Sequence, residues 1–265
     1  MKFRPRLKSE TADISRGGKE GWRSRLKGIA SAVIVLGAIY FGLGFVAAWA
    51  VHWIPPQTEA DWFSWSEDLF GDTEAVPEDV QTLFQQLLAD EGLSDFPYRL
   101  VLLDTEEINA FALPGGTIGV TQGLLDTVTT DMGRALVLGH EIGHVEHRHG
   151  MERLGRSILL AGAMSLVGVD VSGVLQGSLD IADLGFSRNQ ESECDDFGLR
   201  LVHRRIGTTV GAMEFFEKLQ FLDGGTEVEF GERMSGFLRT HPITADRLRD
   251  LEALAAELEA GSSAD

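Results

Sequence analysis

The longest apolar run lies near the start of the chain. From Gly28 to Val51 no residue is charged, 24 positions in succession. At about 1.5 Å per residue this makes roughly 36 Å of helix, enough to cross a hydrocarbon core of about 30 Å with some tilt. Trp49 and Trp53 stand at the far end, where amphipathic rings suit a membrane interface, and Pro55-Pro56 stops the helix. Residues 28–54 therefore read as one transmembrane signal-anchor. A cleaved signal peptide is the rival, because Ala48-Trp49-Ala50 has small-x-small form. The run far exceeds the about 7–15 residues of an ordinary signal core, which favours the uncleaved anchor. Ala38 and Gly42 form a small-xxx-small pair, which leaves a homo-oligomer through this helix open, although small residues are common in membrane helices in any case.

Residues 55–76 read as an acidic juxtamembrane linker carrying Trp62, Phe63, Trp65 and Phe70. Packing of these rings on the following domain is favoured over lipid contact, since anionic lipid repels their acidic neighbours. Beyond Pro77 the period changes. Val80, Leu83, Phe84, Leu87 and Leu88 follow the stripe of an amphipathic helix, with Pro77 in its first turn. Tyr98 to Leu103, Asn109 to Leu113 and Thr117 to Thr121 read as strands, the last two joined through Pro114-Gly115-Gly116. A short helix is predicted over Gly123 to Val128. Thr129 or Thr130 can cap the next helix, with Asp131 in its first turn and Ala135, Leu138, Ile142 and Val145 on its apolar face. A second apolar run, Ile158 to Val169, has 12 residues. At roughly 18 Å it is too short to span and reads as a buried helix or a flap rather than a membrane-dipping segment. Thr209 to Leu222 and Thr244 to Leu258 look helical, and residues 260–265 form a frayed tail. The fold class is α+β, mostly helical, with a small antiparallel sheet in a domain over 77–259.

Charge adds direction to this outline. The net charge of −18 argues against a nucleic-acid partner. Residues 1–27 hold nine Lys/Arg against Glu10, Asp13 and Glu20, a net +6 that leaves −24 on the rest. No Lys or Arg occurs between Val51 and Tyr98. The positive-inside rule then puts a basic tail, 1–27, in the cytoplasm and the domain across the membrane. The single cysteine, Cys194, rules out an internal disulfide.

The chemistry is concentrated in His140-Glu141-Ile142-Gly143-His144. Residues four apart share a helix face, so His140 and His144 can offer two imidazoles to one metal, with Glu141 beside it as proton acceptor. A hydrolytic zinc site takes three protein ligands and keeps one position for water. One zinc-protease group would continue with Gly at position 147 and His at position 150; this chain has His147 and Gly150, so that arrangement fails. A second group takes a Glu from a separate downstream helix. Ser187 to Gly198 offers Glu191, with Asp195 four residues later on the same face. A ligand Glu, with a carboxylate placed to receive a ligand histidine's other N–H, is the expected arrangement. His147 and His149 read as solvated helix ends, His203 has no metal spacing, and Asp170, Asp180 and Asp183 read as loop or helix-end residues.

Four segments together resemble peptidase family M48, the group of the HtpX, Oma-type and CAAX prenyl endopeptidases. They are Asn109-Ala110-Phe111-Ala112-Leu113-Pro114-Gly115-Gly116, the His140 to His144 helix, Ser187 to Gly198, and Thr240-His241-Pro242 with Arg247. One departure is Cys194, where the family usually has Ala. The resemblance implies a zincin domain of gluzincin type around an HExxH helix. It implies one Zn2+ per chain on His140, His144 and Glu191, Glu141 as general base and Asp195 behind a ligand histidine. His241 would stabilise the oxyanion or, in a resting state, take the water position. Asn109 and the strand through Gly115, Gly116, Thr117, Ile118, Gly119 and Val120 would border the cleft. There an exposed edge would bind protein or peptide substrates by strand addition. The resulting expectation is a single-pass zinc endopeptidase of the bacterial inner membrane, held by the lipid bilayer. Its domain would be periplasmic and would act in quality control of misfolded envelope proteins. The prenyl-protease branch is multi-spanning and fits poorly. The contrasting reading is a non-catalytic or latent tethered chaperone that holds clients on the edge strand.

Overall fold

The computed structural model describes residues 22–64, 74–166, 185–222 and 235–262. The chain divides into two units, Met1–Gly42 and Leu43–Asp265. Helix α1 (Trp22–Val51) contains Arg25–Val51, the stretch among the described residues that is long and apolar enough to cross a membrane. Its side chains Ile34, Leu36, Phe41 and Phe45 are exposed along its length.

In the second unit, α2 (Pro56–Trp62) opens with Pro56 at its first position, as the fixed proline φ favours. Phe63 is buried with Val51, Met151 and Leu154, while Trp62 stays exposed; Trp65 and Phe70 lie outside the described residues. Glu59 is buried on α2. It accepts a hydrogen bond from Gly115 N at 3.0 Å and faces Arg148 at 3.4 Å. Arg148 sits at φ 56, a left-handed position that a β-carbon disfavours. Its guanidinium spans the gap to the carbonyls of Val51 and Ile54, which fixes the end of α1 to this domain.

Helix α3 (Glu78–Leu88) buries Val80, Leu83, Phe84 and Leu87, the stripe its sequence predicts, with Pro77 as the cap rather than inside the first turn. The strands are β1 (Arg99–Leu103), β2 (Ala110–Ala112) and β3 (Thr117–Thr121), in the order β1-β3-β2. The expected antiparallel sheet is therefore mixed. The Gly115-Gly116 turn, with φ of 90 and 98, folds β2 back against β3. Strand β1 pairs in parallel with β3, in register from Arg99 with Thr117 to Leu103 with Thr121. All five residues of β3 are buried, and with both its edges paired it is the central strand.

Among the described residues the remaining helices are α4 (Gln122–Thr127), α5 (Asp131–Glu146), α6 (His149–Leu166), α7 (Arg188–Ile206), α8 (Glu214–Leu222), α9 (Ser235–Thr240) and α10 (Ala245–Ser262). The second apolar run falls in α6 as far as Leu166. Ile158 and Leu159 there are exposed and Ala161 is buried, so the helix is not uniformly buried. Asp170, Asp180 and Asp183 lie outside the described residues. The core joins the sheet to α3 and α5 through Phe84, Leu87, Ile118, Val120, Leu138 and Ile142.

The start of α5 is fixed by two residues. Thr130 caps it by accepting from Gly133 N at 3.1 Å. Glu214 of α8 accepts from Thr129 N and Oγ1 at 3.1 and 2.9 Å, from Thr130 N at 2.9 Å and from the Thr130 hydroxyl, and it pairs with Lys218. Burial opposes charge on Glu214, but the Lys218 and Thr130 hydrogen bonds outweigh it and hold the carboxyl below its usual range. A depressed folded-state pKa stabilises above the unfolded carboxylate pKa of about 4.3 and ceases to do so as pH falls. Glu214→Gln is expected to lower stability by about 1–2 kcal/mol at pH 7, with the gap narrowing from about pH 4 downward, as read from urea midpoints.

Candidate metal centre

Helix α5 is buried from Ala135 to Val145, and α7 crosses it closely. Small residues permit that approach. A methyl group on Gly198 would lie 2.8 Å from His140 N and 2.9 Å from the Gly139 carbonyl carbon, and one on Gly143 would lie 3.2 Å from Cys194 Cα. Cys194, fully buried, thus stands in a seam that excludes bulk. Helix α7 is started by a capping box in which Ser187 and Gln190 bond reciprocally, placing Glu191 in its first turn. Gly198→Val is expected to force the helices apart at a cost of about 1–3 kcal/mol, measured by denaturant midpoint, with His140 drawn away from Asp195.

The crossing brings four groups together. Ligand-type atoms of His140, His144, Glu191 and His241 all lie within 4.8 Å of one another, and all four residues are buried. His140 Nε2 is 3.1 Å from His144 Nε2, 3.3 Å from His241 Nδ1 and 3.6 Å from Glu191 Oε2. On the far side of its ring, His140 Nδ1 meets Asp195 Oδ1 at 2.9 Å. Glu141 is fully buried, 3.5 Å from His241 Nε2, and both its carboxylate oxygens and His241 Nε2 take no hydrogen bond.

His241 follows α9, its N–H bonded to Phe237 O at 2.7 Å and its ring stacked on Phe237. Arg247, at the start of α10, ties the other elements together. It donates to Asp195 Oδ2 and Oδ1 at 2.7 and 2.8 Å and to Pro242 O at 2.9 Å, and lies 2.7 Å from Glu191 Oε2. Its carboxylate pairing was not legible in sequence, because Asp195 and Glu191 lie more than fifty positions away. Phe186, stacked on the His144 ring at 3.9 Å, carried no sequence signal either.

The electrostatics favour a cation. Three buried carboxylates, Glu141, Glu191 and Asp195, face one guanidinium, a local net of −2 once the imidazoles are neutral, as ligation requires; without a metal, protons on the histidines offset part of it. Burial opposes charge on His140, yet its bonds to Asp195 and Glu191 outweigh this and raise it to about 10. Burial also opposes charge on Glu191, but His241, His140 and His144 hold it below the usual carboxylate range. Glu141 is pushed up by burial. Buried charges are kept where they are paired or bind metal. The donor set, the net charge and the unbonded oxygens of Glu141 fit a divalent metal.

The proposed substrate strand lies elsewhere than expected. Gly115 and Gly116 form the turn beneath α2, Ile118 and Val120 point into the core, and the Phe111 ring covers Gly119. Thr117 is buried, and Asn109 pairs with Thr121 just before β2. Strand β3 is central, with both its edges paired, so the expected exposed edge over Gly115 to Val120 is not there. The family resemblance implied an edge there; pairing with β1 as well as β2 encloses the strand. His149, expected to be solvated, is 3% exposed, with Nδ1 3.1 Å from His144 Nδ1. His147 is half-buried and bonds Gly143 O at 2.8 Å.

The model of peptidase family M48 matches residues 74–255, which include every group of the cluster. The chain belongs to this family. Among similar proteins, the mitochondrial metalloendopeptidase OMA1 of Schizosaccharomyces pombe is 30% identical over 177 residues, covering 65% of this chain and 51% of that protein. The metalloprotease LoiP of Escherichia coli is 33% identical over 165 residues, covering 58% of this chain and 62% of LoiP. The beta-barrel assembly-enhancing protease of Escherichia coli is 30% identical over 186 residues, covering 64% of this chain and 37% of that protein. These alignments thus span between about a third and just under two thirds of each relative.

Proposed function

We propose that the chain is a membrane-anchored zinc endopeptidase, with His140, His144 and Glu191 as metal ligands and Glu141 as general base. The observation that carries this reading is the convergence of those three ligand-type side chains beside a buried Glu141 whose oxygens are uncommitted. Zinc bound there would lower the pKa of a water and polarise the scissile carbonyl. Glu141 takes the proton of the attacking water and returns it to the leaving amine. Its carboxylate is buried and its oxygens are uncommitted, so no other hydrogen-bond donor competes with the water. Asp195, fixed by Arg247, accepts from His140 Nδ1 and keeps Nε2 free to ligate. His241 Nδ1, 3.2 Å from Glu191 Oε1, supports a resting arrangement in which this histidine takes the water position.

The long apolar helix, after a basic tail over 1–27, supports anchoring with the domain over 77–259 on the far side of a bacterial inner membrane. The names of the relatives, among them a protease that enhances beta-barrel assembly, support work on misfolded envelope proteins. The chaperone reading rested on an open β3 edge, which the sheet order removes.

The test is metal analysis of the full chain in detergent, together with cleavage of an unfolded protein such as casein. One zinc per chain is expected, with cleavage lost on chelation and restored by zinc. His144→Ala should fail to retain zinc; a variant that keeps one equivalent would show the ligand set to be wrong.

A further inference from the structure

We infer that His149 is the positioning residue for His144, fixing that ligand's tautomer and ring rotation through an imidazole-to-imidazole hydrogen bond. The inference rests on the reading of His144 as a ligand. His144 Nε2 points into the cluster, 3.1 Å from His140 Nε2 and 3.5 Å from Glu191 Oε1. An imidazole that ligates through Nε2 carries its proton on Nδ1, and a buried N–H needs an acceptor. The acceptor 3.1 Å away is His149 Nδ1. To accept, His149 must hold its own proton on Nε2, and that nitrogen faces Glu193 Oε2 at 3.4 Å.

Cys194 Sγ also lies 3.5 Å from His149 Nδ1; that nitrogen has one lone pair, which the His144 N–H takes, so the thiol packs against the ring edge. One further contact agrees. Phe186 stacks on the His144 face at 3.9 Å, leaving rotation within the ring plane to be set by the edge contact. The two ligand histidines are thus held differently. His140 leans on a carboxylate, Asp195, and His144 on a neutral imidazole. The position of His149 explains how it reaches. The left-handed Arg148 ends α5 and starts α6 at once, turning His149 back over the ring of His144.

The experiment compares zinc retention, by chelator competition on the full chain, in wild type, His149→Ala and His149→Asn. The Asn side-chain oxygen sits one bond from Cγ, as Nδ1 does, so it can accept in the same place. His149→Ala should weaken zinc binding about 10- to 100-fold and His149→Asn should recover most of that loss. Equal loss in both variants, or wild-type retention in His149→Ala, would overturn the inference. Should His149→Ala fold poorly, nitrogen-15 NMR of histidine-labelled, zinc-loaded wild type reads the same point. His149 protonated on Nε2 alone supports the bond, and a proton on Nδ1 excludes it. Two zinc ions per chain, one lost in Cys194→Ser, would make His149 a ligand and likewise overturn it. The parent reading is checked separately. If His144→Ala retains zinc, the ligand assignment fails; if His144→Ala loses zinc while His149→Ala keeps it, only this inference fails.

Discussion

Glu141→Gln should lose about 10^2- to 10^4-fold in turnover, the range general acid–base catalysis supplies, while keeping one zinc per chain. The substitution preserves volume and removes the negative charge and the capacity to take a proton, leaving His140, His144 and Glu191 unchanged. Glu141 has no hydrogen-bond partner to lose, so the amide leaves no new group unpaired by its departure. His140 keeps its outer contact, since Asp195 and Arg247 are untouched. Cleavage of casein by the variant at near wild-type rate would end the assignment of Glu141 as the base. Loss of zinc together with activity would instead show that its carboxylate helps hold the metal. The same variant should trap bound substrates, making it the route to the physiological target.

Arg247→Met should destabilise the fold by about 3–5 kcal/mol, the usual cost of removing one partner from a buried ion pair. Methionine roughly fills the volume but leaves Asp195 and Glu191 without the guanidinium they share. Arg247 makes a bidentate contact with Asp195 and bonds Pro242 O beside His241, so its loss also frees the His241 segment. Arg247→Lys keeps the charge but cannot reproduce the planar fork, and should recover part of the loss. Thermal or urea unfolding of the metal-free chain is the measurement. A change below about 1 kcal/mol would mean that the carboxylates find other partners.

The elements that were legible in sequence owe it to local period. The stripe of α3, the cap of α5 and the turn at Gly115-Gly116 each depend on residues no more than four positions from the next. The antiparallel expectation failed because strand pairing is long-range: nothing near β1 signals that it will join β3 and enclose it. The expected solvated His149 failed for a related reason. Its neighbours read as a helix end, and only the reversal at Arg148 carries it inward.

Helix period by itself determined that His140 and His144 share one face, and that Glu191 and Asp195 share another. The absence of charge from Gly28 to Val51 determined a long apolar helix, and the order of four motifs carried the family resemblance. Tertiary structure decided what those faces meet. It set His140 against Asp195, His144 against His149, and His241 between Glu141 and Glu191, and it gave Arg247 two carboxylates. The physical reason is that side-chain spacing fixes direction from a helix axis, whereas the approach of two helices depends on the bulk between them. Here that bulk is almost nothing, at Gly139 and Gly198.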